Sequence, residues 1–362
     1  MVMKEILERM VLLLSRGETV AVATILSASG SLPMSRRSKM LIAQDGSAAG
    51  TVGGGCLEAE VHALARTAIR TRRPGLRRFT LTEAEAGAEG LNCGGTAEIL
   101  IEPMEGAGAL ALHAAALEAI GRRDETVLAT LLAGCRSETP SVEGKALVGW
   151  KGLRLGWGSL ADAGSPGAAA AVEEALSLLG SDRAAVLELD RSSERRLFLE
   201  TVSAPPTLYL FGGGHVALAV ARVARTAGFR VVVIDDRPDF ANRERFPEAD
   251  AALVLPLQSA FEHLAIGPED HVVAVTRGHQ HDEPVIEQAL RTKAAYIGMI
   301  GSRRKVAILW RRLEARGVSR QELQRVHAPI GLPIGADTPG EIAVSIVAQM
   351  VQVRRERPGT GR

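Results

Sequence analysis

"TLYLFGGGHVALAVARVARTAGFRVVVIDD" (residues 207–236) reads as strand, glycine turn, helix, strand. Five residues rich in large apolar side chains lead into three glycines. Apolar residues at helical spacing follow, then Gly228 and a second apolar run ending at Asp235. Gly212, Gly214 and Ala217 form a GxGxxA pattern between strand and helix. Glycine permits the tight turn and lets a phosphate approach the helix N-terminus. Gly212, Gly213, Gly214 and His215 are therefore candidate ligand contacts, and Asp235 or Asp236 could take ribose hydroxyls. The other reading is a doubly wound core whose nucleotide site is vestigial.

Downstream, strands keep alternating with helices. "AALVLP", "HVVAVT" and "AAYIGMIG" read as strands, and helices are expected near 283–292, 303–315 and 339–354. Thr338, Pro339 and Glu341 form a capping box at the last helix. The pattern predicts a parallel sheet of at least five strands, with ligands outside the carboxyl ends of the strands. "TRGHQHDE" puts Arg277, His279, His281 and Asp282 at that edge, either as metal ligands or with Asp282 or Glu283 capping a helix that has Pro284 in its first turn. "GSRRK" (301–305) offers Ser302, Arg303, Arg304 and Lys305 as an anion site, or as a solvated basic face.

Upstream of "SAPP" (203–206) the chain resembles itself. "GETVAVATIL" (17–26) returns as "DETVLATLLA" (124–133), and "SKMLIAQDGSAAG" (38–50) as "GKALVGWKGLRLG" (144–156). Each copy continues with a helical stretch and closes on an apolar strand. The expected organisation is an α/β domain over 1–203, with degraded repeats at about 17–103 and 124–202, and a Rossmann-type domain over 204–362.

The second copy keeps the apolar skeleton but lacks two elements. Where the first has "GGGCLE" it reads "GSLADA", and nothing in it matches "NCGGTAE" (92–98). Loops that one copy folds without are candidates for a site: Gly53, Gly54, Gly55, Cys56, Cys93, Gly94 and Gly95. Glycines ahead of a helix can turn N–H groups toward an anion, and a thiol at a helix start is biased to thiolate. Cys56 is thus a candidate nucleophile or soft-metal ligand, with Cys93 the alternative; either could instead be a small buried hydrophobe. Cys135 has no glycine partner and reads as structural. Glu58 and His62 share a helix face, but Cys56 is not spaced to pair with His62.

Composition excludes several classes. The chain has 362 residues, a net charge of +1 and no run of apolar residues long enough to span a bilayer. It therefore carries no global field for nucleic acid and no membrane-span signature. The first residues read as an amphipathic helix and not a signal peptide. Three cysteines without CxxC spacing fit a reducing, cytoplasmic setting.

The strings "GGGCLEAEV" (53–61), "CGGTAEILIEP" (93–103), "LFGGGHVA" (210–217), "VIDDRPDFA" (233–241), "YIGMIGSRRK" (296–305) and "HAPIGLPIGADTPGEIAVSIVAQMV" (327–351) resemble the XdhC/CoxI family, the xanthine dehydrogenase accessory factors. The resemblance is weakest from about 105 to 203. It implies a maturation protein that binds molybdenum cofactor (molybdopterin) as cargo. It further implies support for sulfuration and for insertion into a molybdenum hydroxylase apo-enzyme of the xanthine dehydrogenase or CO-dehydrogenase kind. A cysteine desulfurase is then a second partner, and a homo-oligomer is the expected assembly. The Rossmann-type half could hold a dinucleotide such as NAD(P), and the competing function is an NAD(P)-dependent oxidoreductase. No proton-relay set or metal cage with catalytic spacing is evident, which favours a binder over a catalyst.

Overall fold

The structure, a computed structural model, describes residues 3–30, 38–81, 95–162, 164–190 and 194–356. The chain divides into two compact units, Met1–Ala204 and Pro205–Arg362.

The first unit runs α1 (Met3–Ser15), β1 (Val20–Ser29), β2 (Lys39–Ile42), β3 (Ala48–Gly50), α2 (Gly55–Thr71), β4 (Gly75–Leu81) and β5 (Gly95–Met104). It then repeats the series as α3 (Gly106–Gly121), β6 (Thr126–Ala133), β7 (Ser141–Gly149), β8 (Gly152–Gly158), α4 (Pro166–Leu178), β9 (Ala184–Asp190) and β10 (Arg195–Val202). Two antiparallel sheets result, ordered β3-β2-β1-β5-β4 and β8-β7-β6-β10-β9. The order is the same in both, so the repeat seen in the sequence is a repeat of topology. It starts earlier than the sequence reading placed it, because α1 and α3 are equivalents. Their buried positions correspond one to one: Ile6, Leu7, Met10, Leu13 and Leu14 against Leu112, His113, Ala116, Ala119 and Ile120.

One detail of the sequence alignment is corrected. "GETVAVATIL" aligns with residues 123–132, one residue earlier than read. The ladders pair Thr24 with Lys39 and Thr130 with Lys145, and the faces agree. Ala21, Ala23 and Ile25 pack under α2, as Val127, Ala129 and Leu131 pack under α4. A slip of one residue would turn each of these side chains to the opposite face; an alignment of identities alone does not feel that constraint.

The opposite faces of the two sheets carry buried charges. Lys39 Nζ lies 2.8 Å from Glu200 Oε1, and Lys145 Nζ lies 2.7 Å from Glu102 Oε2. Each copy's lysine therefore pairs with the other copy's glutamate, the reciprocity of a two-fold contact. Glu98 and Arg196 are equivalents of each other, and Arg196 Nη1 donates to both oxygens of Glu98 at 3.1 and 3.0 Å. A residue meets its own equivalent only near the two-fold axis, where identical copies would oppose like charges. Divergence of the repeats allows opposite charges there.

The second unit runs β11 (Thr207–Phe211), α5 (His215–Thr226), β12 (Arg230–Asp235), β13 (Ala251–Val254), β14 (His271–Ala274), α6 (His279–Leu290), β15 (Tyr296–Met299), α7 (Arg303–Ala315), α8 (Arg320–Leu323), β16 (Val326–His327) and α9 (Pro339–Glu356). Its six strands are all parallel, ordered β13-β12-β11-β14-β15-β16, the doubly wound Rossmann order. The sixth strand escaped the sequence reading because two residues carry no periodicity. Strands β11, β12, β14 and β15 are buried almost throughout, as a sheet covered on both faces requires. The capping box forms: Glu341 Oε2 accepts from Thr338 N at 2.9 Å, and Thr338 Oγ1 accepts from Glu341 N at 3.3 Å.

Candidate functional site

In the first unit, β3 leads through Thr51 and Val52 into Gly53, Gly54 and Gly55, with φ of 135°, 82° and 63°. Three consecutive residues in the left-handed half of backbone space demand glycine. Gly54 is the N-cap of α2, and among the described residues no side chain caps the helix. Cys56 is the second residue of that helix; its side chain lies outside what the structure describes. Gly53 N–H donates to Thr51 Oγ1 at 3.1 Å, and the Thr51 hydroxyl in turn bonds Glu58 Oε1, tying the turn to the helix. His62 Nε2 sits 2.8 Å from the Gly46 carbonyl oxygen. The equivalent helix α4 starts by ordinary means: the Ser165 hydroxyl accepts from Ala168 N at 3.2 Å, with Pro166 at the first position. The sister helix thus starts without a glycine run. Cys93 and Gly94 lie outside the described residues, and Gly95 opens β5, buried. Cys135 is buried, and burial pushes its thiol up.

In the second unit the glycine turn sits where the strand order reverses, between β11 and β14. A Cβ at Gly212 would lie 2.5 Å from the Val275 carbonyl oxygen, and one at Gly213 would lie 2.0 Å from that of Phe240. Gly214, N-cap of α5, faces open space, and α5 has no side-chain cap. Gly213 is held at both ends: its N–H donates to Asp235 Oδ2 at 2.8 Å and its carbonyl accepts from Arg245 Nε at 2.7 Å.

This geometry changes the role of Asp235. The residue is 2% exposed. Its carboxylate also accepts from Arg237 N (3.1 Å), Nε (2.8 Å) and Nη2 (3.0 Å). Burial alone would raise its pKa, but Arg237 and the Gly213 N–H outweigh that and hold the carboxyl below its usual range. Asp235 thus braces the turn, while the neighbouring Asp236 Oδ2 accepts from Arg277 Nη2 at 2.9 Å. Arg237 and Arg245, 3.5 and 5.1 Å from the Phe240 ring centre, complete the surround of the turn. The sequence reading passed over both arginines; the signal was "RPDF" directly after the acid pair.

The other groups at this edge are largely committed to one another. The Asp282 carboxylate, fully buried, accepts from Thr276 Oγ1 at 2.7 Å and pairs with Lys305. Asp282 is therefore not a free metal ligand, and Lys305 is not a free anion-binding group. No group of three His, Cys, Asp or Glu among the described residues could hold a metal. The helix starts at His279 and not near 283, because Gly278 serves as its N-cap. Pro284 accordingly falls inside it, at the cost of one ladder bond. Arg277 Nε donates to His281 Nε2 at 3.1 Å, and the ring of His279 lies outside the description. Ser302 caps α7, accepting from Lys305 N at 3.2 Å, and exposed Arg303 and Arg304 flank it.

Residues 208–350 match the family described as the XdhC Rossmann domain, and residues 13–80 match the XdhC and CoxI family. The chain is 32% identical over 159 residues to a Bacillus subtilis protein named as a probable xanthine dehydrogenase component, covering 44% of this chain and 46% of that protein. It is 25% identical over 147 residues to the molybdenum cofactor insertion chaperone PaoD of Escherichia coli, covering 41% of this chain and 40% of that one. The match thus spans less than half the length of either relative. A crystal structure named as a xanthine dehydrogenase from Bacillus halodurans aligns over 100% of this chain and 98% of that one, with TM-score 0.81 and 25% identity.

Proposed function

Since the chain belongs to the XdhC and CoxI family, we propose that it is a maturation factor for molybdenum hydroxylases. Its cargo is molybdenum cofactor, an anionic, phosphate-bearing pterin whose dithiolene carries the metal. The observation that carries this reading is the turn at Gly53–Gly55: three left-handed glycines feed an uncapped helix start with Cys56 in its first turn, while the sister copy uses a plain serine cap. The family relative named as a molybdenum cofactor insertion chaperone supports the same role.

Each part of the turn has a task. The open N–H groups of α2 and the positive end of its dipole attract the anionic cargo. The same field favours the thiolate of Cys56, a soft ligand suited to the metal of the cargo. Cys93 is the alternative ligand. The Gly212–Gly214 turn, the open start of α5 and the exposed pair Arg303 and Arg304 offer a further anion site in the second unit, for a nucleotide or another phosphate-bearing ligand. A client of the xanthine dehydrogenase or CO-dehydrogenase kind receives the cofactor, and a cysteine desulfurase supplies its sulfur.

The test is reconstitution. Apo-hydroxylase is mixed with cofactor, with and without this protein, and turnover is followed. Faster recovery with the protein, lost in Cys56→Ser or Cys93→Ser, supports the reading. Equal recovery in every arm contradicts it.

A further inference from the structure

The two copies of the first unit serve as a control for each other. The numbering offset that carries Thr24 to Thr130 and Lys39 to Lys145 also carries Leu7 to His113. The match holds through the helix ends: Glu18 N bonds Leu13 O as Asp124 N bonds Ala119 O, and Gly17 and Arg123 both take positive φ. A leucine thus satisfies this position in one copy, while the other buries an imidazole that is 2% exposed. A buried polar ring is costly where an apolar one fits, so His113 has a use besides folding.

Its surroundings indicate the use. His113 Nδ1 lies 2.7 Å from the Ala109 carbonyl oxygen, which can only accept, so Nδ1 carries the proton. Burial, reinforced by the charge of Lys145, lowers its pKa to about 3 and keeps the ring neutral. Nε2 therefore presents a lone pair. The ring borders a cavity of about 740 Å³ between the copies, lined also by Arg72, Arg73, Glu102, Lys145 and Trp157. That volume suits an organic ligand.

The cations differ in what they already hold. Lys39, beneath α1, holds Glu200 at 2.8 Å and also donates to the Thr24 hydroxyl at 2.9 Å. Lys145, as buried as Lys39, lines the cavity and holds Glu102, with no matching bond to Thr130. Arg72 pairs with Glu105, and Arg73 is exposed with no ion-pair partner among the described residues.

We propose that this cavity binds a small organic anion, a phosphorylated heterocycle with ring N–H donors. Its acidic group is taken by Arg73 and Lys145, and an N–H of its ring is accepted by His113 Nε2. Neither glycine turn contributes a residue to the lining of this cavity.

Guanosine monophosphate is the probe, measured by calorimetry on the full chain, with guanosine and ribose 5-phosphate as the half-ligands. Wild type should bind the nucleotide more tightly than either half. His113→Leu should fold, since Leu7 does so in the sister copy, and should weaken the nucleotide about tenfold, the loss of one hydrogen bond. It should also melt at a higher temperature, because a functional group that costs stability has been removed. Arg73→Ala should weaken the nucleotide but not guanosine. No uptake by wild type at millimolar concentration, unchanged affinity in His113→Leu, or failure of that variant to fold would each overturn the proposal.

Discussion

Lys39 and Glu200 meet at 2.8 Å across the two copies of one motif, and both are almost wholly buried. Burial lowers the pKa of Lys39 despite the carboxylate beside it. A buried pair of this kind contributes little net stability, but an orphaned partner is expensive. Lys39→Met should therefore cost about 3–5 kcal/mol, by leaving the buried Glu200 without its partner. The double variant Lys39→Met/Glu200→Leu should recover most of that loss. Urea unfolding of the three proteins measures it, and a double variant as unstable as the single would show that the pair itself stabilises the seam.

His113 gives the first unit an acid-side liability. Its folded pKa of about 3 lies below the unfolded value of 6.5. Between those limits the unfolded chain binds a proton that the folded chain refuses, so stability falls as pH drops through the window. The slope approaches about 1.4 kcal/mol per pH unit for one proton. Wild type compared with His113→Leu by denaturant unfolding at several pH values should show this extra slope only in wild type. Parallel curves would mean that the ring titrates normally.

Cys56 and Cys135 should differ in reactivity. Burial raises the thiol of Cys135, whereas Cys56 stands in the first turn of an uncapped helix. Native alkylation at neutral pH, followed by mass spectrometry, should modify Cys56 first. Equal rates would favour a Cys56 that is merely a small apolar residue.

The glycines of the second unit separate fold from binding. Gly213→Ala drives a Cβ to 2.0 Å from the Phe240 carbonyl and should destabilise the unit. Gly214→Val enters open space, so it should melt like wild type while blocking the start of α5. Thermal unfolding together with nucleotide titration checks both halves. A Gly214→Val protein that still binds would make the turn structural only.

The parts legible in the sequence were those set by local signals. The strand–glycine–helix run at 207–236 announced the parallel sheet, and the capping box at Thr338 formed as read. Interactions between distant residues were not legible. That the Asp235 carboxylate is spent on the Gly213 N–H was not legible, because it depends on how the turn folds back, although Arg237, its other partner, stands two residues on. The cross-copy lysine–glutamate pairs were hidden for the same reason. The place of His113 could have been found, since the offset set by Lys39 and Lys145 lays it on Leu7.

The central claim is tested most directly by purifying the protein anaerobically from cells that make molybdenum cofactor. Metal and pterin are then measured per chain. Wild type should carry both, and Cys56→Ser should fold but carry markedly less. A Cys93→Ser protein that alone loses its cargo would move the ligand to that thiol. Nicotinamide in place of pterin, or no small molecule at all, would contradict the account.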